Sequence, residues 1–125
     1  RKKNNSNNIY INNTYNYKTA LNELDSIEII NTINNEEIKI LYDKLSYIFK
    51  SFLNNRLYIK STEMTTSEIT NFFCSNNFNE DIINKWKHLS YRLDEKKFSN
   101  NHIERSHFIK DKDEYKSLIK LINKY

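Results

Sequence analysis

Apolar residues recur at intervals of three, four and seven between residues 38 and 52, which is the spacing of one face of an α-helix. The positions concerned are Ile38, Leu41, Leu45, Ile48, Phe49 and Phe52. Asn34 occupies the place of a helix N-cap, and the Glu36-Glu37 pair puts negative charge in the first turn, where the helix dipole favours it. Asn54-Asn55 follows the last apolar position. The pattern predicts a long amphipathic helix that forms the spine of the core.

Further helices are predicted on both sides of this spine. The first runs from about Lys18 to Ile30, where leucine and isoleucine fall three apart. Thr65 and Glu68 have the spacing of a capping box, so a helix should span Thr66 to Ser75. Its expected buried positions, and those of the helix that Asn79 should cap, are Ile69, Phe72, Phe73, Ile82, Ile83, Trp86 and Leu89.

The last helix is predicted to open at Asp111, because Asp111 and Glu114 repeat the capping-box spacing. Its buried positions are Leu118, Ile119 and Ile122. A terminal amphipathic helix therefore closes the predicted domain.

Two short segments are interpreted as β-strands. Leu57 and Ile59 alternate with polar neighbours, and the stretch from Tyr91 to Phe98 has Tyr91, Leu93 and a buried Phe98 ring as its apolar members. We expect the two segments to pair. The predicted fold is mainly α, a helical bundle with a helix-turn-helix-like core and a short two-stranded β wing, and is therefore winged-helix-like.

Composition narrows the domain organisation. A chain of 125 residues is the size of one domain, so residues 18–125 are predicted to form a single helical domain. Residues 1–17, which are rich in Asn, are interpreted as a flexible juxtamembrane linker. The sequence contains no Gly and no Pro, which excludes a Gly-rich phosphate-binding loop and leaves positive-φ positions to Asn. Because there is one Cys, no internal disulfide forms.

Charge gives weak guidance about partners. The net charge of +4 comes from 20 basic and 16 acidic residues, and the compact basic run is Arg1-Lys2-Lys3. This run fits the positive flank of a membrane span that precedes the chain, and it equally fits the start of a flexible tail. No stretch of the sequence approaches the roughly 18 apolar residues of a membrane span. Since the chain begins at Arg1 rather than Met, it is interpreted as the soluble piece of a longer, tethered protein.

Catalytic chemistry is not indicated. His102, Glu104 and His107 are a conceivable zinc cluster, but histidines five apart do not share a helix face. Cys74 lies beside two phenylalanines and is interpreted as a small core residue. We therefore predict no enzyme, no cofactor and no metal site.

A longer pattern emerges when the middle of the chain is taken as a whole. Its positions are Tyr42, Leu45, Phe52, Leu53, Arg56, Ile59, Ser61, Thr65, Thr66, Glu68 and Ile69, followed by Asp94-Glu95-Lys96-Lys97-Phe98-Ser99. This order resembles the extramembrane tail of Bat-type (BatD-like) aerotolerance membrane proteins. Tyr58 and Lys60 depart from it, since the family often has Gly and Pro there, and Lys96 replaces an apolar strand residue.

The resemblance implies a non-enzymatic domain on the cytoplasmic face of the inner membrane. Its partners would be a MoxR-type AAA ATPase and von Willebrand factor A proteins, in a complex linked to envelope stress or assembly. It carries over no catalytic residue.

The functional hypothesis is therefore a protein–protein interaction domain. Its candidate surface consists of Tyr47, Tyr58, Tyr91, Lys96 and Lys97, because exposed aromatic side chains are favoured at interfaces. The alternative is a winged-helix DNA-binding regulator. The segment 66–75 contains no Lys or Arg, however, which is thin for a helix that must approach phosphates.

Overall fold

The computed structural model describes residues 16–29 and 34–124, which form an all-α fold without any β-strand. The helices are α1 (Tyr17–Asp25), α2 (Asn35–Leu57), α3 (Thr66–Ser75), α4 (Glu80–Phe98) and α5 (Arg105–Asn123), and a 3-10 turn (Ser61–Glu63) joins α2 to α3. Most of the predicted linker 1–17 lies outside the described residues. Asn16 caps α1, and Tyr17 is its first residue.

The predicted helix starts at Asn34, Thr65 and Asn79 are confirmed. Asn34 accepts a hydrogen bond from the Glu37 N–H at 2.8 Å, and Glu37 accepts one from the Asn34 N–H at 3.1 Å. The Thr65 capping box closes in the same reciprocal way with Glu68, at 3.1 and 2.8 Å. Each box satisfies two backbone donors that a helix start otherwise leaves unpaired.

The α2 helix is the spine of the core, as its periodicity predicts. Phe49 is fully buried, stacks on Trp86 of α4 with ring centroids 5.2 Å apart, and contacts Tyr115 of α5 at 5.5 Å. One assignment within the stripe differs, because Tyr42 is buried and Leu41 only partly so. The core therefore lies between α2, α4 and α5.

The prediction that the first helix reaches Ile30 is wrong, because α1 ends at Asp25. The Ser26 hydroxyl donates a hydrogen bond to the Glu23 carbonyl at 2.8 Å, and this bond competes with the backbone hydrogen bonds that would extend the helix. The chain that follows is held by α5, since Lys112 Nζ donates to the Ile27 carbonyl and Lys116 Nζ lies 2.6 Å from an Asp25 carboxylate oxygen.

The predicted first strand of the wing is absent. Leu57 is the last residue of α2, and Tyr58 ends the helix in the left-handed region with φ 57°. The alternation that suggested a strand therefore consists of the last helical residue, Leu57, the left-handed cap, Tyr58, and the loop residue Ile59. The turn is fixed by Ser61, whose hydroxyl lies 2.5 Å from the Lys50 carbonyl oxygen and 2.6 Å from Asn54 Oδ1.

The predicted second strand, Tyr91 to Phe98, is the last part of α4. Leu89 and Leu93 are buried and Lys97 turns toward α2, which continues the helical repeat from Trp86 at steps of three and four. The Phe98 ring, expected to be buried, is 79% exposed. The winged-helix-like prediction is therefore wrong in both halves of its wing.

The capping box predicted at Asp111 is also wrong. The α5 helix begins at Arg105, so Asp111 lies in its second turn and is buried. Its carboxylate accepts hydrogen bonds from Tyr42 at 2.7 Å and from Arg92 at 2.9 Å. The role of Asp111 is therefore to bind side chains of α2 and α4, and not to cap a helix.

Candidate functional site

The five predicted surface residues lie on different sides of the domain. Tyr47, Tyr58 and Tyr91 are 64%, 65% and 70% exposed, but Tyr58 sits at the far end of α2. Lys96 points toward α5, where its Nζ lies 3.3 Å from His107 Nδ1. Lys97 points toward α2 and forms an ion pair of 2.8 Å with Asp43.

Two of the tyrosines share an exposed helix face with apolar residues that the sequence prediction missed. On α2, Ile40 and Tyr47 are seven positions apart, and on α4 so are Tyr91 and Phe98, so each pair shares one helix face. Ile40 is 64% exposed, close to the exposure of its partner. The ion pair between Asp43 and Lys97 joins the two helices between the pairs. We call Ile40, Tyr47, Tyr91 and Phe98 the outer face.

The helices α2 and α4 run antiparallel. Phe49 stacks on Trp86, whereas Asp43, earlier on α2, pairs with Lys97, later on α4. The helical repeat places both exposed pairs on the same side of this two-helix layer. The buried side of the layer packs on α1 and α5.

The other end of the same side is already covered. Asn54 lies seven residues after Tyr47, and it accepts a hydrogen bond from the Thr62 N–H at 3.2 Å. Lys50 Nζ donates to the Met64 carbonyl at 3.0 Å, and Trp86 Nε1 donates to Thr70 of α3 at 2.9 Å. Among the described residues, the 3-10 turn and α3 therefore lie over the part of the layer around Asn54 and Trp86, and the outer face lies beyond them.

A shallow groove borders the outer face at the start of α3. It has a volume of about 360 Å³ and is lined by Thr66, Ser67 and Thr70 of α3 and by Tyr91 and Asp94 of α4, among others. The surface therefore changes level where α3 begins, and Tyr91 lies beside the first residues of α3.

The apolar area of the outer face is large for a domain of this size. Each aromatic side chain carries roughly 150–250 Å². With exposures between 64% and 79%, the three rings and Ile40 present roughly 500 Å² to solvent. The ion pair of Asp43 with Lys97 lies between the two apolar pairs, so this area is divided around a charged centre, and exposed apolar groups of this extent commonly mark binding sites.

Polar groups between α2, α4 and α5 form a second cluster, in which Tyr42 and Asp111 are buried and Arg92 and Glu114 are partly exposed. Arg92 bridges Asp111 and Glu114, and Tyr42 donates to Asp111. Burial, together with the hydrogen bond to Asp111, raises the pKa of the Tyr42 phenol far above its ordinary value. Tyr42 therefore stays protonated and acts as a donor.

Tyr115 lies beside this cluster with a different environment. Its hydroxyl is buried and has no hydrogen-bond partner within the described part of the chain, and burial raises the pKa of its phenol. A phenol that remains protonated cannot serve as a base near neutral pH. We assign the cluster a structural role, which is to fix how three helices pack.

The histidine cluster considered for zinc does not assemble. His102 Nε2 lies 3.8 Å from Glu104, but His107 is directed to Lys96 instead. Across residues 16–29 and 34–124, no group of three or more potential metal ligands is brought together. Cys74, expected in the core, is exposed.

The residues behind the Bat-type resemblance have structural tasks. Arg56 donates to the Asn123 carbonyl at the end of α5, at 3.3 Å. Ser61 holds the 3-10 turn on α2, and Thr65 with Glu68 starts α3. Such residues stabilise a fold without forming a binding site.

Ile40 and Phe98 escaped the sequence prediction for separate reasons. Ile40 lies opposite the apolar stripe of α2, so a search for apolar residues outside the stripe would have found it. Phe98 was assigned to a strand, and its exposure follows only from the helical repeat of α4.

The described residues show few of the features expected of a DNA-binding protein. The α3 helix has no basic residue, and of the two lysines expected on a wing, Lys97 is ion-paired to Asp43. Among the described helices none is long and apolar enough to cross a membrane. Compared with known proteins, the chain matches no family model, no curated protein and no solved structure.

Proposed function

We propose that this domain is a non-enzymatic protein-interaction module that binds its partner through the outer face. One observation carries the proposal: four large apolar side chains, each at least 64% exposed, lie in two pairs on the same side of the α2–α4 layer. A helical domain with its own complete core gains nothing from exposing them. Aromatic side chains of this kind are common energetic centres of interfaces.

The rigidity of the face also supports binding. Its two helices are held inside by Phe49 and Trp86 and outside by the ion pair of Asp43 with Lys97. A surface whose backbone is fixed before binding loses little conformational entropy when a partner docks.

The partner hypothesis comes from the resemblance to Bat-type proteins. On that hypothesis the domain is tethered at the cytoplasmic face of the inner membrane and contacts a MoxR-type AAA ATPase or a von Willebrand factor A protein. The order and spacing of the residues from Tyr42 to Ile69 support it. The resemblance expects a strand at residues 94–98, and that segment does not support it because it is helical.

A pull-down with matched surface variants tests the proposal. The purified domain is the bait, in its natural form and as Phe98→Glu, Tyr91→Glu and the control Tyr58→Glu, against a membrane extract of the source cells. We expect the natural domain and the Tyr58 variant to recover the same partner, and the other two to recover at least about tenfold less, as loss of a central aromatic contact predicts.

Circular dichroism of each variant separates lost binding from lost folding. Equal recovery by all four baits would refute the assignment of the outer face. Retention of labelled duplex DNA at physiological salt, falling steeply as salt rises, would favour a nucleic-acid function instead.

A further inference from the structure

We infer that a cavity at the end of the bundle where α1 begins and α2 and α5 end binds a small organic phosphate that carries a flat ring. This site goes beyond the proposed function, because the cavity and the outer face share no residue. The charges, the apolar surface and the size of the cavity support it.

Three helix ends enclose this cavity. The first turn of α1 contributes Lys18, the end of α2 contributes Arg56 and the capping residue Tyr58, and α5 contributes its last residue, Asn123. Arg56 joins two of these ends, because its Nη2 donates to the Asn123 carbonyl at 3.3 Å. The guanidinium is therefore held at the cavity by α5 as well as by its own helix.

The charged side chains that line this cavity are basic, and no carboxylate lines it among the described residues. Lys18 and Arg56 are exposed, and neither forms an ion pair within the described part of the chain. By contrast, two cavities between α4 and α5 include Glu114 and Asp111 respectively, and the groove beside α3 includes Asp94. Because a carboxylate repels an anion, the cavity at the helix ends suits an anion best of these four.

The dipoles of the helix ends do not cancel the two basic side chains. The ends of α2 and α5 each place roughly half a negative charge here, and the start of α1 places roughly half a positive charge. Their sum of about −0.5 is smaller than the two full positive charges of Lys18 and Arg56. One Arg56 N–H is used by the Asn123 carbonyl, and the remaining guanidinium donors have no described partner. A guanidinium binds phosphate oxygens in pairs, so a phosphate group fits this position.

Apolar surface beside these charges favours a ring on the phosphate. Phe52 lines the cavity as a buried ring, Tyr17 is half-buried, and Tyr58 is 65% exposed. Aromatic side chains stack with flat rings, whereas inorganic phosphate would leave this apolar surface in water. The cavity volume of about 380 Å³ lies near the lower end of the range for small-molecule sites, roughly 300–1,000 Å³. The size therefore suits one ring with one phosphate group.

Phenyl phosphate combines the two parts in the simplest way and is the probe. It is titrated into isotope-labelled domain while backbone amide shifts are followed by NMR, beside inorganic phosphate, phenol and benzoate. We expect saturable shifts at Tyr17, Lys18, Arg56 and Asn123, with an affinity at least about fivefold above that of phosphate or phenol alone. Benzoate that binds as tightly as phenyl phosphate would overturn the assignment to a phosphate.

Variants that remove one charge test the two basic side chains. Arg56→Gln should weaken phenyl phosphate at least about tenfold, as loss of charge-assisted hydrogen bonds predicts. Lys18→Gln should weaken it about two- to fivefold, which is the range for one exposed ion pair. The control Lys44→Gln removes an exposed charge from the first half of α2 and should leave the affinity unchanged. Equal affinity for all three variants would overturn the inference.

Thermal unfolding of each variant separates lost binding from lost folding. The Lys18 side chain has no described hydrogen bond or ion pair, so Lys18→Gln should keep the natural Tm. This variant therefore decides the test even where Arg56→Gln lowers stability by releasing the Asn123 carbonyl.

Two further variants separate this cavity from the outer face. Tyr58→Glu replaces a lining ring with an acid, so it should lose phenyl phosphate and still recover the partner in the pull-down. Phe98→Glu should keep phenyl phosphate and lose the partner. Phenyl phosphate binding that survives Tyr58→Glu, or shifts that spread over the surface without saturation, would overturn the inference and leave the proposed function standing.

Discussion

Replacement of Phe49 by Ala should destabilise the domain strongly. Phe49 is fully buried at the centre of α2, and its ring contacts both Trp86 and Tyr115. Removal of a buried Phe costs about 3–5 kcal/mol, from lost burial and from the cavity that remains. Because two aromatic contacts are lost as well, each of about 0.5–1.5 kcal/mol, we expect the upper part of that range.

The matched control lies two residues away on the same helix. Tyr47 is 64% exposed, so Tyr47→Ala should change the free energy of unfolding by less than about 0.5 kcal/mol. The pair therefore compares an aromatic deletion on the inner and outer sides of α2 with the helix propensity change held nearly constant.

Urea unfolding followed by circular dichroism measures both variants. At about 4 °C per kcal/mol for a domain of this size, Phe49→Ala should also lower Tm by roughly 15–20 °C. A loss below about 1 kcal/mol for Phe49→Ala would refute the described core. A loss for Tyr47→Ala as large as that for Phe49→Ala would refute the assignment of Tyr47 to the outer face.

Three further perturbations test separate contacts. Asp111→Ala removes the buried carboxylate that accepts from Arg92 and Tyr42, and it should lower the free energy of unfolding by about 3 kcal/mol. The control Asp113→Ala, at an exposed position on the same helix, should cost under about 0.5 kcal/mol. Comparable urea midpoints for the two variants would contradict the hydrogen bonds described for Asp111. Hydrogen bonds from the Thr65 N–H and hydroxyl hold the pKa of Glu68 below its ordinary 4.5, so the stabilisation is complete above that pH and is lost as pH falls through the folded-state pKa. Glu68→Gln should therefore flatten the fall in urea midpoint between about pH 5 and about pH 3, and an unchanged slope would count against the cap. Tyr58→Gly should stabilise the domain by about 0.5–1 kcal/mol, because Tyr58 has φ 57° and Gly adopts this left-handed conformation without a steric cost. The matched Asn77→Gly should stabilise the domain less, because Asn tolerates the left-handed region. A lower Tm for Tyr58→Gly would contradict this prediction.

The helix starts could be predicted from sequence because capping is local. The side-chain oxygens of Asn34, Thr65 and Asn79 bond an N–H three residues later, so both partners are visible in one short window. Asp111 shows the limit of that rule. Its spacing to Glu114 is the same as in a capping box, but its real partners are Arg92 and a tyrosine 69 positions away.

The first strand of the wing was predicted wrongly because three residues, Leu57 to Ile59, are too few to distinguish a strand from a helix end. In a chain without Gly, Tyr58 adopts the left-handed cap that Gly usually supplies, so the usual marker of a helix end is missing. The exposure of Tyr47 could be predicted because it lies outside the apolar stripe of α2, whereas Tyr42 and Tyr115 show that the residue type alone does not decide it. The grouping of residues in the outer face could not be predicted, because it depends on how α2 and α4 lie against each other.

The residues that fix the fold and those of the outer face are largely separate in this domain. Asp111 and its partners tie α2, α4 and α5 together from the buried side, and Phe49 fills the space between them. Substitutions at Phe98 act on the opposite side of the layer, where no described core contact is lost. A variant such as Phe98→Glu should therefore keep its Tm and lose its partner, and this combination separates a binding surface from an incompletely buried core.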